Sequence, residues 1–268
     1  EGTTMSAIAT LRRESFPASA RTTLRVSVQA ADVTIRHEVT DTCTIEVACH
    51  DEADLGQVEF STAGDVVVVR VPPLLAEQSG RRGLAIDLGF MSLSLGDARA
   101  RGVTVTAVLP EGASVQVESK SGDVVVGGHS ARATLRTGSG AITLEEADEA
   151  LLATGSGDVT AGRIHADGQI RSGSGDVRVR HTSGTLTVGT GSGELDVALF
   201  DGAAITLRTA SGDVSVGLPT SVPIWQDVQT TSGDVDARLE PAGQPADGDP
   251  FITVRVTTAS GDVTLRNA

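Results

Sequence analysis

Apolar and polar residues alternate on both sides of a short sequence, Ser-Gly-Asp-Val, that recurs through the C-terminal part of the chain. Every copy has an apolar residue two positions after its glycine, and further apolar columns stand four positions after it and five before it. The column two positions after the glycine consists of Val124, Ile142, Val159, Val177, Leu195, Val214, Val235 and Val263. This alternation predicts a strand, a tight turn at the glycine and a second strand.

The repeated glycines stand at positions 122, 140, 157, 175, 193, 212, 233 and 261. A repeat of about 18 residues that contains two strands predicts an all-β fold, a parallel β-solenoid (β-helix) in which each repeat forms one coil. Equivalent strands then stack about 4.8 Å apart, so that each apolar column becomes a continuous buried ladder. The glycine supplies the backbone freedom that the corner requires.

The first part of the chain is less regular than the rest. We predict that residues 1–110 form a degenerate β-rich capping region continuous with the solenoid, and that residues 111–268 form the regular solenoid. Residues 31–35 and 64–68 look like degenerate copies of the corner, and residues 72–100 are the candidate long loop. No segment has a helical period.

Three longer stretches carry a family resemblance: VTVTAVLPEGASVQVESKSGDVVVGG, IWQDVQTTSGDVDARLEPAG and FITVRVTTASGDVTLRNA. Over about residues 22–268 the chain resembles a bacterial family of β-strand-repeat proteins of unknown function, often described as candidate adhesins. The resemblance implies a β-solenoid without established enzymatic activity, found in cytosolic and in surface-attached forms. It supplies no catalytic motif.

Composition narrows the classes of function. The formal net charge of −14 argues against nucleic acid as a partner, because phosphate binding needs a basic surface. Aromatic residues make up only 2% of the chain, which weakens any role based on stacking against bases or sugars. No apolar run approaches the length of a membrane helix, so membrane insertion is not expected, and the N-terminus has no apolar segment of signal-peptide length. These patterns favour a cytoplasmic location, with the cell surface as the alternative if a signal has been removed.

The two cysteines, Cys43 and Cys49, lie in an alternating segment, TCTIEVAC, that is typical of a strand. Six strand residues span about 20 Å, whereas a disulfide needs Cα atoms within about 7 Å. The sequence therefore predicts unbridged thiols, which are at home in a reducing compartment.

The acidic column directly after the corner glycine, which includes Asp158 and Asp176, is a candidate calcium site. An aspartate at a turn also accepts backbone N–H bonds, however, and then needs no cation. The repeat also lacks the nine-residue period of calcium-binding β-rolls. The acidic column is therefore explained without a metal.

A second candidate metal site involves His129, His165 and His181, which fall six to eight residues after their corner glycines. They are predicted to lie on one edge of three coils, and the same edge holds the carboxylates of Glu146, Asp148, Glu149 and Asp167. Imidazoles and carboxylates together suit zinc or another transition metal. Turns are polar for other reasons as well, and the sequence alone favours neither a metal nor a cofactor.

No arrangement of catalytic residues stands out. Lys120 is the only lysine, and the glycine-rich sequences join strand to strand, unlike phosphate-binding loops, which join strand to helix. We therefore expect a non-catalytic scaffold or protein-binding solenoid and not an enzyme. The alternatives are a surface-exposed adhesin and, less favoured, a glycan-active β-helix enzyme.

The chain stops at residues 263–268, inside a full repeat, so its final coil is predicted to leave an open strand edge. Either a second molecule pairs with this edge, giving a homo-oligomer, or the proline-containing residues 240–250 cover it. The polar composition of that segment favours self-association. The expected partner is thus a protein or a second copy of this chain.

Overall fold

The computed structural model describes residues 10–49, 55–72, 86–87, 92–93, 103–220, 222–239 and 251–268. The strands in these residues are β1 Thr10–Pro17, β2 Thr23–Ala30, β3 Asp32–Glu38, β4 Thr42–Cys49, β5 Glu59–Ala63, β6 Val66–Arg70, β7 Ile86–Asp87, β8 Ser92–Leu93, β9 Thr104–Pro110, β10 Ser114–Ser121, β11 Val124–Ser139, β12 Ile142–Ser156, β13 Val159–Ile164, β14 Asp167–Ser174, β15 Val177–Thr182, β16 Thr185–Ser192, β17 Leu195–Phe200, β18 Ala204–Ser211, β19 Val214–Leu218, β20 Ile224–Ser232, β21 Val235–Arg238, β22 Ile252–Ser260 and β23 Val263–Asn267. Most of the loop predicted at residues 72–100 lies outside the described residues.

The strands stack in two parallel ladders, one on each side of the repeated corner. The first ladder runs in the order β2, β10, β11, β12, β14, β16, β18, β22, β20. The second runs in the order β9, β3, β11, β12, β13, β15, β17, β19, β23, β21. Strands β11 and β12 are long enough to belong to both. The predicted all-β, mostly parallel architecture is confirmed.

The core lies between the ladders and is built from the predicted apolar columns. In the column two positions after the corner glycine, every residue except Val235 is 0–1% exposed. The Ser/Thr column three positions before the glycine is buried too, except for Thr230. Several of its hydroxyls bond to backbone carbonyls, as Thr154 Oγ1 does to Gly140. Two of these hydroxyls, those of Thr209 and Thr258, have no hydrogen-bond partner. Stacked aliphatic side chains thus replace the aromatic residues that the chain lacks.

One of the two predicted degenerate corners is confirmed. Ala31 takes the place of the glycine, since its N–H donates to Ser121 and the next residue, Asp32, accepts a hydrogen bond from the N–H of Asp123. Strands β2 and β3 on either side of it continue the two ladders below β10 and β11. Strands β2 and β3 are therefore continuous with the repeats, whereas the division of the chain at residue 110 and the capping role of residues 1–110 stay predictions.

The other predicted corner, at residues 64–68, is wrong. Gly64 and Asp65 form the two-residue turn of an antiparallel hairpin, in which Ala63 pairs with Val66. Gly64 has a φ of 58°, within the left-handed region that such hairpin turns use. Because Gly-Asp suits both turns, the local sequence does not distinguish them. This hairpin of β5 and β6, with the antiparallel strands β1 and β4, covers the N-terminal end of the ladders.

The C-terminal coils do not stack in sequence order. The last strands of the chain, β22 and β23, lie between β18–β19 and β20–β21. The coil that ends the stack is therefore residues 224–238, named here the end coil. The prediction that the final coil of the sequence forms the open end is wrong, because β22 and β23 lie inside the stack. The long last interval between glycines gives residues 239–251 the length to lead from the end coil back to the inner position. The last two coils can stack in either order, because the apolar columns of the repeats match.

Candidate functional site

The aspartates of the acidic column accept hydrogen bonds from backbone N–H groups. Asp158 Oδ1 accepts a hydrogen bond from the N–H of Asp176 at 2.9 Å, and Asp176 Oδ1 accepts one from Glu194 at 3.0 Å. The other oxygen of Asp176 is 2.8 Å from Arg178. Each aspartate thus satisfies the N–H of the next coil, where the sequence suggested a bond within its own turn. In the described part of the chain, neither Asp158 nor Asp176 belongs to a group of three potential metal ligands.

The opposite edge brings together a group that we name the histidine cluster: His129, Glu146, Asp148 and His165. His129 lies in β11 just after an irregularity in its pairing with β12, and it is aligned with Glu146. Asp148 follows two residues later on β12, and His165 comes directly after β13. Because parallel strands stack in register, three consecutive coils place these side chains next to one another.

Short polar contacts define the geometry of the cluster. His129 Nε2 is 3.0 Å from Asp148 Oδ1, and His165 Nε2 is 2.6 Å from Glu146 Oε1. The two imidazole rings meet edge to face with their centroids 6.1 Å apart. One ligand atom each from His129, Asp148 and His165 lies within 4.8 Å of the other two. The hydrogen bond from His165 lowers the pKa of Glu146, so this carboxylate is ionised at neutral pH.

The remaining candidates on this edge have separate partners. His181 Nε2 pairs with Asp201 at 3.0 Å and does not join the cluster. Glu149 forms an ion pair with Arg132, and Asp167 accepts a hydrogen bond from Thr185. Two of the three predicted histidines and two of the four predicted carboxylates therefore form one group.

His37 is a polar core residue that the sequence analysis missed. Its ring nitrogens are 3.1 Å from the carbonyl oxygen of Gly127 and 3.0 Å from that of Ala113, and Ser130 Oγ lies 3.4 Å from Nε2. The sequence contained a signal of its burial, because His37 continues the alternation that places Val33 and Ile35 on the inward face of β3. Burial is the largest influence on its pKa and lowers it, opposed by hydrogen bonds to the two carbonyls. Among nearby charges, His129 lowers the pKa and Glu111 raises it.

We expect His37 to make stability depend on pH below its ordinary pKa of 6.5. Since the folded pKa is lowered, the unfolded chain takes up this proton first, and the free energy of unfolding decreases as pH falls from about 6.5 towards the folded value. Above that range the ring is neutral in both states and contributes no pH dependence. Urea unfolding at several pH values between 7.5 and 5.5 should therefore give a shallower slope for His37→Gln than for the wild type. Equal slopes would contradict the assignment.

Cys43 is a free, buried thiol in β4, as predicted, and burial raises its pKa to about 12. The thiolate is the reactive form of cysteine, so this side chain is chemically inert. Among the residues that the structure describes, no helix is long and apolar enough to cross a membrane.

Two parallel ladders that enclose an aliphatic core define a β-repeat protein, and comparison with known families identifies which one. The sequence model of the family described as Toastrack DUF4097 matches residues 21–266. The chain therefore belongs to the Toastrack DUF4097 family, and the resemblance noted in the sequence is confirmed. No curated protein sequence matches the chain.

Several solved structures are similar over nearly their whole length. A candidate adhesin from Bacteroides fragilis is 9% identical, with 97% of each chain covered and a TM-score of 0.46. A candidate lipid-binding protein from Parabacteroides distasonis is 12% identical, with 95% of this chain and 96% of that chain covered and a TM-score of 0.43. A candidate cell adhesion protein from Clostridium sporogenes is 10% identical, with 97% and 100% covered and a TM-score of 0.25. At these identities and TM-scores, the likeness carries no argument about function.

Proposed function

We propose that the protein is a non-catalytic scaffold, a solenoid with coils of about 18 residues, that assembles into a dimer through its end coil. The observation that carries this proposal is the exposure of Val235. Its equivalents in the other coils are 0–1% exposed, whereas Val235 is 48% exposed. The apolar column thus continues to the end of the stack and stops there partly uncovered.

The end coil also presents unpaired strand edges. Among the described strands, β20 pairs only with β22, and β21 pairs only with β23. The other edge of each strand leaves backbone donors and acceptors available to a further strand. Trp225, on β20, adds a large side chain that is 49% exposed. Such an edge favours pairing with another chain.

A second copy of this chain fits the edge better than its own residues 240–250. That segment, Glu-Pro-Ala-Gly-Gln-Pro-Ala-Asp-Gly-Asp-Pro, contains no valine, leucine, isoleucine or aromatic residue. It has no large apolar side chain to cover the column, and its three prolines cannot donate to a ladder. A second copy, by contrast, offers an identical edge with the same columns, as a two-fold symmetric interface requires.

The charges of β21 support an antiparallel meeting of two copies. If two β21 strands pair about Ala237, Asp236 of one copy lies opposite Arg238 of the other. The same register places Val235 opposite Leu239, which already packs against the core. Opposite charges and apolar side chains thus face their complements across the two-fold axis.

The structural role of the polar repeat residues supports a role without catalysis. The repeated hydroxyls and carboxylates of the corner bond to neighbouring backbone groups, as Thr154 and Asp158 illustrate. Side chains held in this way are not positioned as nucleophiles or bases for a substrate. A surface adhesin and a glycan-active enzyme remain the alternative functions, and the cytoplasmic location stays a prediction from sequence.

Light scattering on the purified chain tests the dimer. We expect the wild type to have twice the mass of the chain and Val235→Lys to be monomeric, because a charge at this position must be desolvated in the interface. Val125→Lys is the matched control, since Val125 is 39% exposed but faces outward in mid-stack. It should remain dimeric.

A further variant separates the proposal from the capping alternative. Replacing residues 241–249 with a Gly-Ser linker of equal length keeps the connection between the coils but removes the native segment. The proposal predicts an unchanged dimer. A wild type that is monomeric at high concentration, and that associates only after this replacement, would show that the segment covers the end.

A further inference from the structure

We propose that the histidine cluster binds a zinc ion through His129, Asp148 and His165. This inference is independent of the assembly, because the cluster lies on coils far from the end coil in the order of the ladders. The sequence alone favoured no metal site. The structure adds the decisive observation, because it shows which residues of this edge lie close together.

The donor atoms are already close to the separation that zinc requires. Zinc bonds to histidine nitrogen and carboxylate oxygen are about 2.0–2.2 Å long, so ligand atoms in a tetrahedral site lie about 3.3 Å apart. His129 Nε2 and Asp148 Oδ1 are 3.0 Å apart, and no pair among the three donors exceeds 4.8 Å. The side chains of His129 and Asp148 are partly exposed, so they can rotate to close the remaining gap.

The chemistry of the donors selects the metal. Two imidazoles and one carboxylate suit zinc or a similar transition ion. Calcium prefers six to eight oxygen ligands, and the cluster offers too few. With three protein ligands, the fourth position is left for water.

Glu146 acts as a positioning residue in this site. It accepts a hydrogen bond from Nε2 of His165, which leaves the other ring nitrogen with a lone pair for the metal. The guanidinium of Arg163 forms an ion pair with Glu146, with Nη1 3.9 Å from Oε1. It forms no ion pair with Asp148, which pairs with His129. The carboxylate of Asp148 is therefore available to the cation.

An internal comparison shows why the site needs three coils. His181 and Asp201 form a histidine–carboxylate pair with the same 3.0 Å separation, but no third ligand among the described residues joins them. That pair is sufficiently explained by a hydrogen bond. The cluster differs because a second imidazole approaches from the coil on the other side of Asp148.

The test is calorimetric titration of the metal-free protein, residues 1–268, with Zn²⁺. We expect saturable binding of one zinc per chain, a melting temperature that rises with zinc and does not change with calcium, and a loss of affinity of at least tenfold in His129→Gln and in His165→Gln. His181→Gln is the matched control and should bind zinc like the wild type. Co²⁺ in place of zinc should give a visible absorption band that both cluster variants lose.

Folding of the variants is checked by melting without metal, where all three should resemble the wild type because the substituted side chains are on the surface. Glu146→Gln should weaken zinc binding less than the ligand variants, since it acts through His165. Absence of saturable binding at micromolar zinc, or one-to-one binding unchanged by both cluster substitutions, would overturn the proposal.

Discussion

Gly175→Ala is expected to lower the melting temperature by roughly 6–12 °C, although it adds a single methyl group. Gly175 forms a mid-stack corner and has a φ of +139°, a conformation that residues with a side chain rarely adopt. A Cβ built there would lie 2.1 Å from the carbonyl oxygen of Gly157, in the preceding corner. Backbone strain and steric overlap together cost about 3 kcal/mol, which corresponds to that shift in a chain of this size.

The same substitution at Gly189 is the matched control. Gly189 lies in β16, and a Cβ there would meet nothing within 4 Å. Gly189→Ala should change the free energy of unfolding by less than about 1 kcal/mol, or stabilise slightly by restricting the unfolded chain. Val125→Thr, on an outward position whose equivalents include Thr143 and Thr160, should also be nearly neutral. Thermal melts that give the same midpoint for Gly175→Ala and Gly189→Ala would contradict the account of the corner.

The corner could be predicted from sequence because the same packing constraint recurs in every coil. Each corner glycine packs against the backbone of the corner in a neighbouring coil, and the apolar residue two positions later stacks on its equivalent, so the same residue types are required in every coil. Eight copies of one constraint make a visible pattern. A single copy does not, which is why Gly64-Asp65 was assigned to a corner although it forms a hairpin.

The histidine cluster was only partly predictable, because small shifts along a strand decide which side chains meet. His129, Glu146, Arg163 and His181 are aligned across the second ladder, while His165 lies two residues beyond that row. His165 and His181 lie on neighbouring coils, but His181 pairs with Asp201. In the structure His165 turns towards Glu146 of the preceding coil and approaches His129 instead.

The order of the last coils could not be predicted, because the repeats are interchangeable in their contacts. Val235 and Val263 occupy equivalent positions, and both present the same inward column to the neighbouring coil. Hydrophobic pattern therefore fits either order equally well. The two orders differ only in the length of the connections they need. A long connection allows the last coil of the sequence to insert into the stack, but it does not require that order.

A pair of engineered cysteines should reveal this order directly. Ser215 of β19 is aligned with Thr264 of β23, which in turn is aligned with Asp236 of β21. Adjacent strands place Cα atoms about 4.8 Å apart, within disulfide range, whereas strands two apart are separated by about 10 Å. We therefore expect mild oxidation to crosslink Ser215→Cys with Thr264→Cys, and not Ser215→Cys with Asp236→Cys.

Peptide mapping of the oxidised protein measures the outcome. The native thiols of Cys43 and Cys49 should not interfere, because both are buried, and the raised pKa of about 12 keeps Cys43 protonated. Each double variant should melt like the wild type when reduced, which shows that the substitutions themselves are tolerated. A crosslink between positions 215 and 236, with none between 215 and 264, would mean that the coils stack in sequence order. In that case residues 252–268 would form the open end, and the lysine substitution that disrupts the dimer would belong at Val263.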